Sequence, residues 1–125
     1  MTTLLIVEDN DLNLKLARTI LVGAGYTLLE ATNAEEGLAL ARAHLPPVIL
    51  MDIHLPGMDG IAALALLRED AATSGLKVLA ITASAMRGDR ERILSSGFDG
   101  YVSKPFRVQE LLDAVTTMLG KGAAP

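Results

Sequence analysis

The sequence predicts one α/β domain, in which five strands form a parallel sheet with helices on both faces. Strand-like and helix-like segments alternate five times along the 125 residues. The strand-like segments are short apolar runs, such as 4–7 and 48–51, which is typical of strands buried on both faces. The length also suits a single domain. Together these observations predict a doubly wound (βα)5 sheet.

The first half of the chain contains three predicted strands and two predicted helices. After the first strand, Asn10 or Asp11 can cap a helix. The apolar residues of this helix are Leu12, Leu16, Ile20 and Leu21, and Gly23 and Gly25 end it. A second strand is predicted over 27–31. Asn33 and Glu36 have the spacing of a capping box that opens the second helix, and Pro46-Pro47 stop that helix before the third strand.

The second half continues the alternation. Asp59 can cap a third helix over 61–69, and the fourth strand ends at Thr82. The next predicted helix, 84–96, has few apolar residues and contains Gly88, which costs about 1 kcal/mol relative to alanine, so we expect it to be weakly held. The fifth strand covers 101–103. The last helix follows over 106–119, with the apolar residues Val108, Leu111, Leu112 and Val115.

Composition argues against several classes of protein. The formal net charge is −4 and aromatic residues make up 3% of the chain, so neither a basic stripe nor a stacking surface for nucleic acid is expected. There is no cysteine, which excludes disulfides and cysteine-based zinc sites. No signal peptide is recognisable, and no apolar stretch approaches the ~20 residues that cross a bilayer. We therefore expect a cytoplasmic protein that contacts neither nucleic acid nor membrane.

Four predicted strands end in polar residues that phosphoryl chemistry uses. Glu8 and Asp9 follow the first strand, Asp52 ends the third, Thr82 ends the fourth, and Lys104 follows the fifth. In open α/β sheets, ligands bind beyond the carboxyl ends of the strands. Three carboxylates gathered there would repel one another, and Mg²⁺ would relieve the repulsion. Each residue alone has an ordinary structural explanation, but the combination points to an aspartate that is phosphorylated.

These residues resemble the motif set of the two-component response-regulator receiver domain. The resemblance covers residues 4 to about 119. The segment 51–60 resembles the phosphoacceptor loop of the family, and the opening 7–10 is similar to stand-alone receivers of the DivK type and to receivers attached to hybrid histidine kinases. The resemblance implies a flavodoxin-like sheet with strand order 2-1-3-4-5. It also implies a receiver domain over 1–120, a short flexible tail over 121–125 and no output domain.

The resemblance further implies the acceptor and its metal ligands. Asp52 is implied to accept a phosphoryl group from a phosphohistidine, carried by a sensor histidine kinase or a histidine phosphotransfer protein. Asp9 and Asp52 would bind Mg²⁺ directly, and Glu8 would act mostly through water. The backbone carbonyl of His54 would complete the protein ligands.

Other residues would contact the phosphoryl group or respond to it. Thr82 and Lys104 would contact its oxygens, Ala83 would offer a backbone N–H, and the Lys104–Pro105 bond is expected to be cis. His54 and Ser84 flank the expected path of the hydrolytic water.

We expect phosphorylation to be read out as a change of surface. We hypothesise that Thr82 moves toward the phosphoryl group and that Tyr101 fills the space it leaves. A downstream protein would then bind the surface of 84–96, 101–103 and 106–119. Such a protein is a switch that phosphorylates and dephosphorylates itself, so no independent substrate turnover is expected.

Several alternatives stay open at this stage. The acidic pair is Glu-Asp where the family more commonly has Asp-Asp. A Mg²⁺-dependent hydrolase of haloacid-dehalogenase type would need a second aspartate where the chain has His54. A flavodoxin-like cofactor binder would need a phosphate-binding loop after the first strand, where the chain has acids. A receiver detached from a hybrid kinase, which shuttles phosphate onward, is a further possibility. The ring of His54 is not expected to bind metal, because His44 lies in a separate helix.

Overall fold

Five parallel strands form one sheet in the order β2-β1-β3-β4-β5, which confirms the predicted fold class. The computed structural model describes residues 2–83 and 87–122. The strands are β1 (Thr3–Val7), β2 (Thr27–Ala31), β3 (Val48–Asp52), β4 (Lys77–Thr82) and β5 (Gly100–Ser103). The helices are α1 (Asp11–Gly23), α2 (Ala34–His44), α3 (Gly60–Glu69), α4 (Arg87–Ser95) and α5 (Val108–Gly122). Among the described residues, no helix combines the length and the apolar character needed to cross a membrane.

The central strands are buried on both faces, which explains their continuous apolar sequence. Successive side chains of a strand point to opposite faces of the sheet. Leu5 and Val7 of β1 therefore pack with residues of α2 and α3, while Leu4 and Ile6 pack with residues of α1 and α5. The two helical layers hold β1 and β3 between them, so the ends of these two strands are fixed in position.

The predicted helix starts are confirmed by their capping hydrogen bonds. Asn10 caps α1 by accepting a hydrogen bond from the backbone N–H of Asn13 at 3.0 Å. Asp59 caps α3 in the same way, with Ala62 as the donor at 2.8 Å. At α2, Asn33 accepts from the N–H of Glu36 at 2.8 Å.

The capping box at α2 differs from the expected form in its second bond. The carboxylate of Glu36 accepts a hydrogen bond from the N–H of Thr32 at 2.9 Å, one residue before the cap. The first turn of α2 is nevertheless held from both sides, as the Asn33–Glu36 spacing predicted.

Two apolar residues assigned to buried helix faces lie in solvent instead. Leu12 is 74% exposed and Val108 is 57% exposed. Both stand in the first turn of their helices, away from the stripe that faces the sheet. In α1 that stripe is formed by Leu14, Ala17, Ile20 and Leu21, and in α5 by Leu111, Val115 and Met118.

The ends of the last two helices also differ from the predicted bounds. The predicted segment 84–96 is described as helix from Arg87 to Ser95, and Ser84 lies outside the described residues. Helix α5 continues to Gly122, so the first two residues of the predicted tail 121–125 are helical. The remaining three lie outside the described residues.

The C-terminal end of α2 contains a strained residue. Leu45 caps this helix in the left-handed region, with φ 48° and ψ 54°. A residue with a Cβ pays about 1–2 kcal/mol for that conformation, and glycine occupies it without the clash.

We therefore expect Leu45→Gly to raise the free energy of unfolding by about 0.5–1 kcal/mol, after allowing for the greater chain entropy of glycine. Urea denaturation at constant m-value measures the change. Leu45→Ala is the control, because it removes the side chain but keeps the strain, and it should give no gain. Equal stability of the two variants would contradict the strain argument.

Candidate functional site

The carboxyl ends of β1 and β3 bring three acidic side chains together. These strands pair in parallel with Val7 opposite Met51, so the residues that follow, Glu8 and Asp52, are neighbours. One carboxylate oxygen from each of Glu8, Asp9 and Asp52 lies within 4.8 Å of the other two. Glu8 and Asp52 are buried, whereas Asp9 is exposed. The predicted clustering of these carboxylates is thus present.

Lys104 enters the same cluster from the end of β5. The register of β4 and β5 places Ser103 opposite Thr82, and the N–H of Lys104 donates to the carbonyl of Thr82 at 2.8 Å. The Lys104–Pro105 peptide bond is cis, as expected. The ammonium donates to Oδ2 of Asp52 at 2.8 Å and to Oε1 of Glu8 at 3.1 Å. One lysine therefore holds two buried carboxylates.

The position of Glu8 was only partly anticipated by the sequence. We expected this residue to act mostly through metal-bound water, and its direct ion pair with Lys104 was not predicted. Oε1 also accepts a hydrogen bond from the N–H of Asn10 at 3.2 Å. Oε2 lies 2.9 Å from the Lys104 ammonium but accepts no hydrogen bond. Glutamate is one methylene longer than aspartate. The glutamate in the acidic pair was therefore the feature of the sequence that could have indicated a direct contact between Glu8 and Lys104.

The lack of a hydrogen bond at Oε2 of Glu8 is an observation that fits a divalent cation. Among the described residues, Oε2 of Glu8 is the buried side-chain atom that lacks a hydrogen bond. The ion pair with Lys104 offsets part of the cost of burying this oxygen, and a further partner would offset more of it. A hard cation such as Mg²⁺ takes oxygen ligands from one or two carboxylates together with waters. The donor set of Glu8, Asp9 and Asp52 suits that chemistry.

The surroundings shift the proton affinities of two site residues. Burial raises the pKa of Glu8, and repulsion from Asp52 adds to this effect, although the hydrogen bond from Lys104 opposes it. Burial alone would lower the pKa of Lys104, but its hydrogen bonds with Asp52 and Glu8 outweigh that effect and raise it. The lysine therefore stays protonated, and the negative charge of Glu8 is held at a cost.

The loop after β3 aligns the other oxygen of Asp52. The backbone N–H of His54 donates to Oδ1 of Asp52 at 2.9 Å, so both carboxylate oxygens have a defined donor. The side chain of His54 is exposed. His44 ends α2, and neither histidine belongs to the carboxylate cluster. The cluster can thus present a fixed carboxylate beside an ammonium.

The other predicted site residues lie outside the carboxylate cluster, on or directly after strands β4 and β5. Thr82 is buried and ends β4, the strand between those of Asp52 and Lys104. Ala83 follows it and is exposed, and Ser84 lies outside the described residues. Tyr101 stands opposite Ala80 on the edge strand β5, half-buried against the hydrophobic cluster of the α2–α3 layer. Tyr101 therefore neighbours the site through β4 without belonging to the carboxylate cluster.

Comparison with known proteins identifies close sequence relatives. The family model described as response regulator receiver domain matches residues 4–116. The polar-differentiation response regulator DivK of Brucella anthropi is 42% identical over 118 residues, which cover 94% of this chain and 96% of that protein.

Solved structures give the same result. The receiver domain of a sensor histidine kinase from Pseudomonas aeruginosa has a TM-score of 0.88 and 31% identity, and covers 95% of this chain and 98% of its own. That structure holds a magnesium ion coordinated in its active site cleft. A CheY-like response regulator receiver domain protein from Methanospirillum hungatei has a TM-score of 0.86 and 30% identity, with 97% and 95% coverage.

The raised pKa of Glu8 predicts a pH dependence of stability when metal is chelated. A carboxyl whose pKa is higher in the folded state contributes stability that is present below its unfolded value, near 4.5, and is lost as the pH rises through the folded value. Glu8→Gln cannot lose that proton. In EDTA, we expect its stability relative to wild type to increase from pH 4.5 upward.

Urea denaturation at a series of pH values measures this difference. Glu36→Gln is the control, because Glu36 is exposed at the start of α2. Parallel pH profiles for wild type and Glu8→Gln would show that burial of Glu8 carries no such cost.

Proposed function

The chain belongs to the response-regulator receiver family, and from that membership we propose that Asp52 is the residue that becomes phosphorylated. The phosphoryl group would come from a histidine kinase or a histidine phosphotransfer protein. The observation that carries this proposal is the surroundings of the Asp52 carboxylate. It is buried, lies within 4.8 Å of two further carboxylates and accepts a hydrogen bond from the Lys104 ammonium at 2.8 Å.

The proposed reaction is a transfer from nitrogen to oxygen. A carboxylate oxygen of Asp52 attacks phosphorus, the P–N bond of the phosphohistidine breaks, and the histidine nitrogen leaves with its electron pair. The product is an acyl phosphate. The transition state is loose and rich in negative charge, so positioning and positive charge supply most of the catalysis. Lys104 supplies one positive charge, and the His54 N–H orients the carboxylate.

Receiver domains bind Mg²⁺ at their acidic site, and we extend this to the present chain. Asp9, Asp52 and Glu8 are the residues that would hold the ion, together with the backbone carbonyl of His54. Oε2 of Glu8, which is buried and accepts no hydrogen bond, supports this assignment. When bound, the ion would offset the negative charge of the carboxylates and of the incoming phosphoryl oxygens.

Receiver domains are signalling switches, and we propose that this chain likewise turns over no substrate of its own. A haloacid-dehalogenase type of hydrolysis would place an acid two residues after the nucleophile. Here that residue is His54, whose side chain is exposed. We place the protein in the cytoplasm, with its histidine-containing phosphate donor.

The signalling surface would be formed by α4, β5 and α5, with Thr82 and Tyr101 linking it to the site. Tyr101 is half-buried on the edge strand. A groove of about 390 Å³ lies beside it. The groove is lined by Tyr101, Val102, Ser103, Glu110, Asp113 and Ala114. A phosphate on Asp52 would shift the population of two arrangements of this surface, which a downstream protein would distinguish.

The phosphorylation itself is testable without knowing the kinase. Phosphoramidate contains the P–N bond of a phosphohistidine and can serve as the donor. With Mg²⁺ present, wild type should gain one phosphoryl group by intact-mass spectrometry, and Asp52→Ala should gain none. Asp59→Asn is the matched control, because Asp59 is exposed and caps α3 on the same loop. Equal labelling of wild type and Asp52→Ala would refute the assignment.

The proposed role of Tyr101 predicts a separation of phosphorylation from its readout. Tyr101→Ala should be labelled as fully as wild type, because Tyr101 is outside the carboxylate cluster. Amide chemical-shift changes on phosphorylation should persist near Asp52 but shrink in α4 and β5. Undiminished changes in those two elements would rule out the coupling through Tyr101.

A further inference from the structure

Gly60, the first residue of α3, packs directly against the backbone of the phosphoacceptor strand. It is buried, and its N–H donates to the carbonyl of Ile53 at 2.9 Å. A Cβ added at Gly60 would lie 2.9 Å from the Cα of Ile53 and closer still to the carbonyl oxygen of Asp52. Only a residue without a side chain fits here.

The crowded atoms have little freedom to move. They belong to the main chain, so no rotation of a side chain can relieve the contact. The N–H of Ile53 donates to the carbonyl of Ile81 at 3.1 Å, which continues the pairing of β3 with β4. A Cβ at Gly60 would therefore have to displace either this peptide or the first turn of α3.

The Asp52–Ile53 peptide positions both the Asp52 carboxylate and the loop that follows it. The carboxylate of Asp52 extends from it, with Oδ1 held by the His54 N–H at 2.9 Å and Oδ2 held by Lys104 at 2.8 Å. The loop between Ile53 and Gly60 is closed at its ends by the Gly60–Ile53 hydrogen bond. Both hydrogen bonds to the Asp52 carboxylate depend on where this peptide lies, because it positions the accepting oxygens.

We propose that Gly60 is a positioning residue for the phosphoacceptor site. Its missing side chain lets α3 press against the Asp52–Ile53 peptide and fixes both the Asp52 carboxylate and the loop that carries the His54 carbonyl. Phosphoryl transfer depends on such placement, since a shift of about 1 Å can cost a hundredfold in rate. The inference rests on the proposed function of Asp52.

Gly37 of α2 offers a matched control on the same face of the sheet. A Cβ there would lie 2.6 Å from a methyl group of Val7, so the crowding is comparable. The atoms that it meets belong to a side chain, however, and not to the backbone of a site residue. Gly37→Ala should lose stability, as overpacked cores do by about 1–3 kcal/mol, without moving Asp52. Gly23→Ala controls for the alanine itself, because Gly23 has open space around it.

The experiment compares Gly60→Ala with Gly37→Ala at a temperature where urea curves show both to be folded. Mg²⁺ titration followed by NMR should give wild-type affinity for Gly37→Ala and a Kd raised about 10-fold or more for Gly60→Ala, the usual size of an indirect effect on a metal site. The rate of labelling by phosphoramidate should fall about 10–100-fold for Gly60→Ala alone. The amide resonance of His54 should shift in the same variant, as its hydrogen bond to Asp52 lengthens.

The outcomes separate this inference from the proposed function. If wild type is not labelled, the function of Asp52 fails. If wild type is labelled and Gly60→Ala matches it in Mg²⁺ affinity and rate, only the role of Gly60 fails. Should Gly60→Ala not fold, it is measured in the Leu45→Gly background with trimethylamine N-oxide, which favours the folded state. Failure to fold there, while Gly37→Ala folds, would overturn the positioning role in favour of a folding role.

Discussion

The ion pairs of Lys104 with Asp52 and Glu8 are the interaction on which the rest of the site depends. The lysine and the two acids come from strands far apart in the chain, and they meet because the parallel register aligns the ends of β1, β3 and β5 across one edge of the sheet. Both carboxylates are buried, and a buried charge is tolerated only when it is paired. The fold and the site therefore require the same alignment.

Among the side chains that the structure describes, the site holds more negative than positive charge. Three carboxylates cluster there, and the Lys104 ammonium forms ion pairs with two of them, those of Glu8 and Asp52. Burial raises the pKa of Glu8, and repulsion from Asp52 adds to the effect. A site with this excess of negative charge favours the binding of a positively charged group, such as a divalent cation. Metal binding and acceptance of a phosphoryl group thereby become linked properties of one cluster.

Much of this could be predicted from the sequence because its cause is local. Apolar runs, cap residues such as Asn10 and Asp59, and the polar residues at the ends of four strands follow from short-range rules, and the structure confirms them. The rule that parallel strands align their carboxyl ends then places Asp9, Asp52 and Lys104 together without any coordinates. The family resemblance led to the same residues, and the comparisons confirm the family.

What only the tertiary structure decided was which atoms touch. Periodicity assigned Leu12 to the core, but the first turn of α1 carries it into solvent. The extra methylene of glutamate was the one hint in the chain that Glu8 could reach Lys104 directly. Nothing in the sequence indicated that Gly60 faces the peptide of Asp52. These contacts join segments that are far apart in the sequence. Their distances depend on how the helices pack against the sheet. The sequence pattern determines which residues lie at the same edge of the sheet. The packing of the helices against the sheet determines the distances between their atoms.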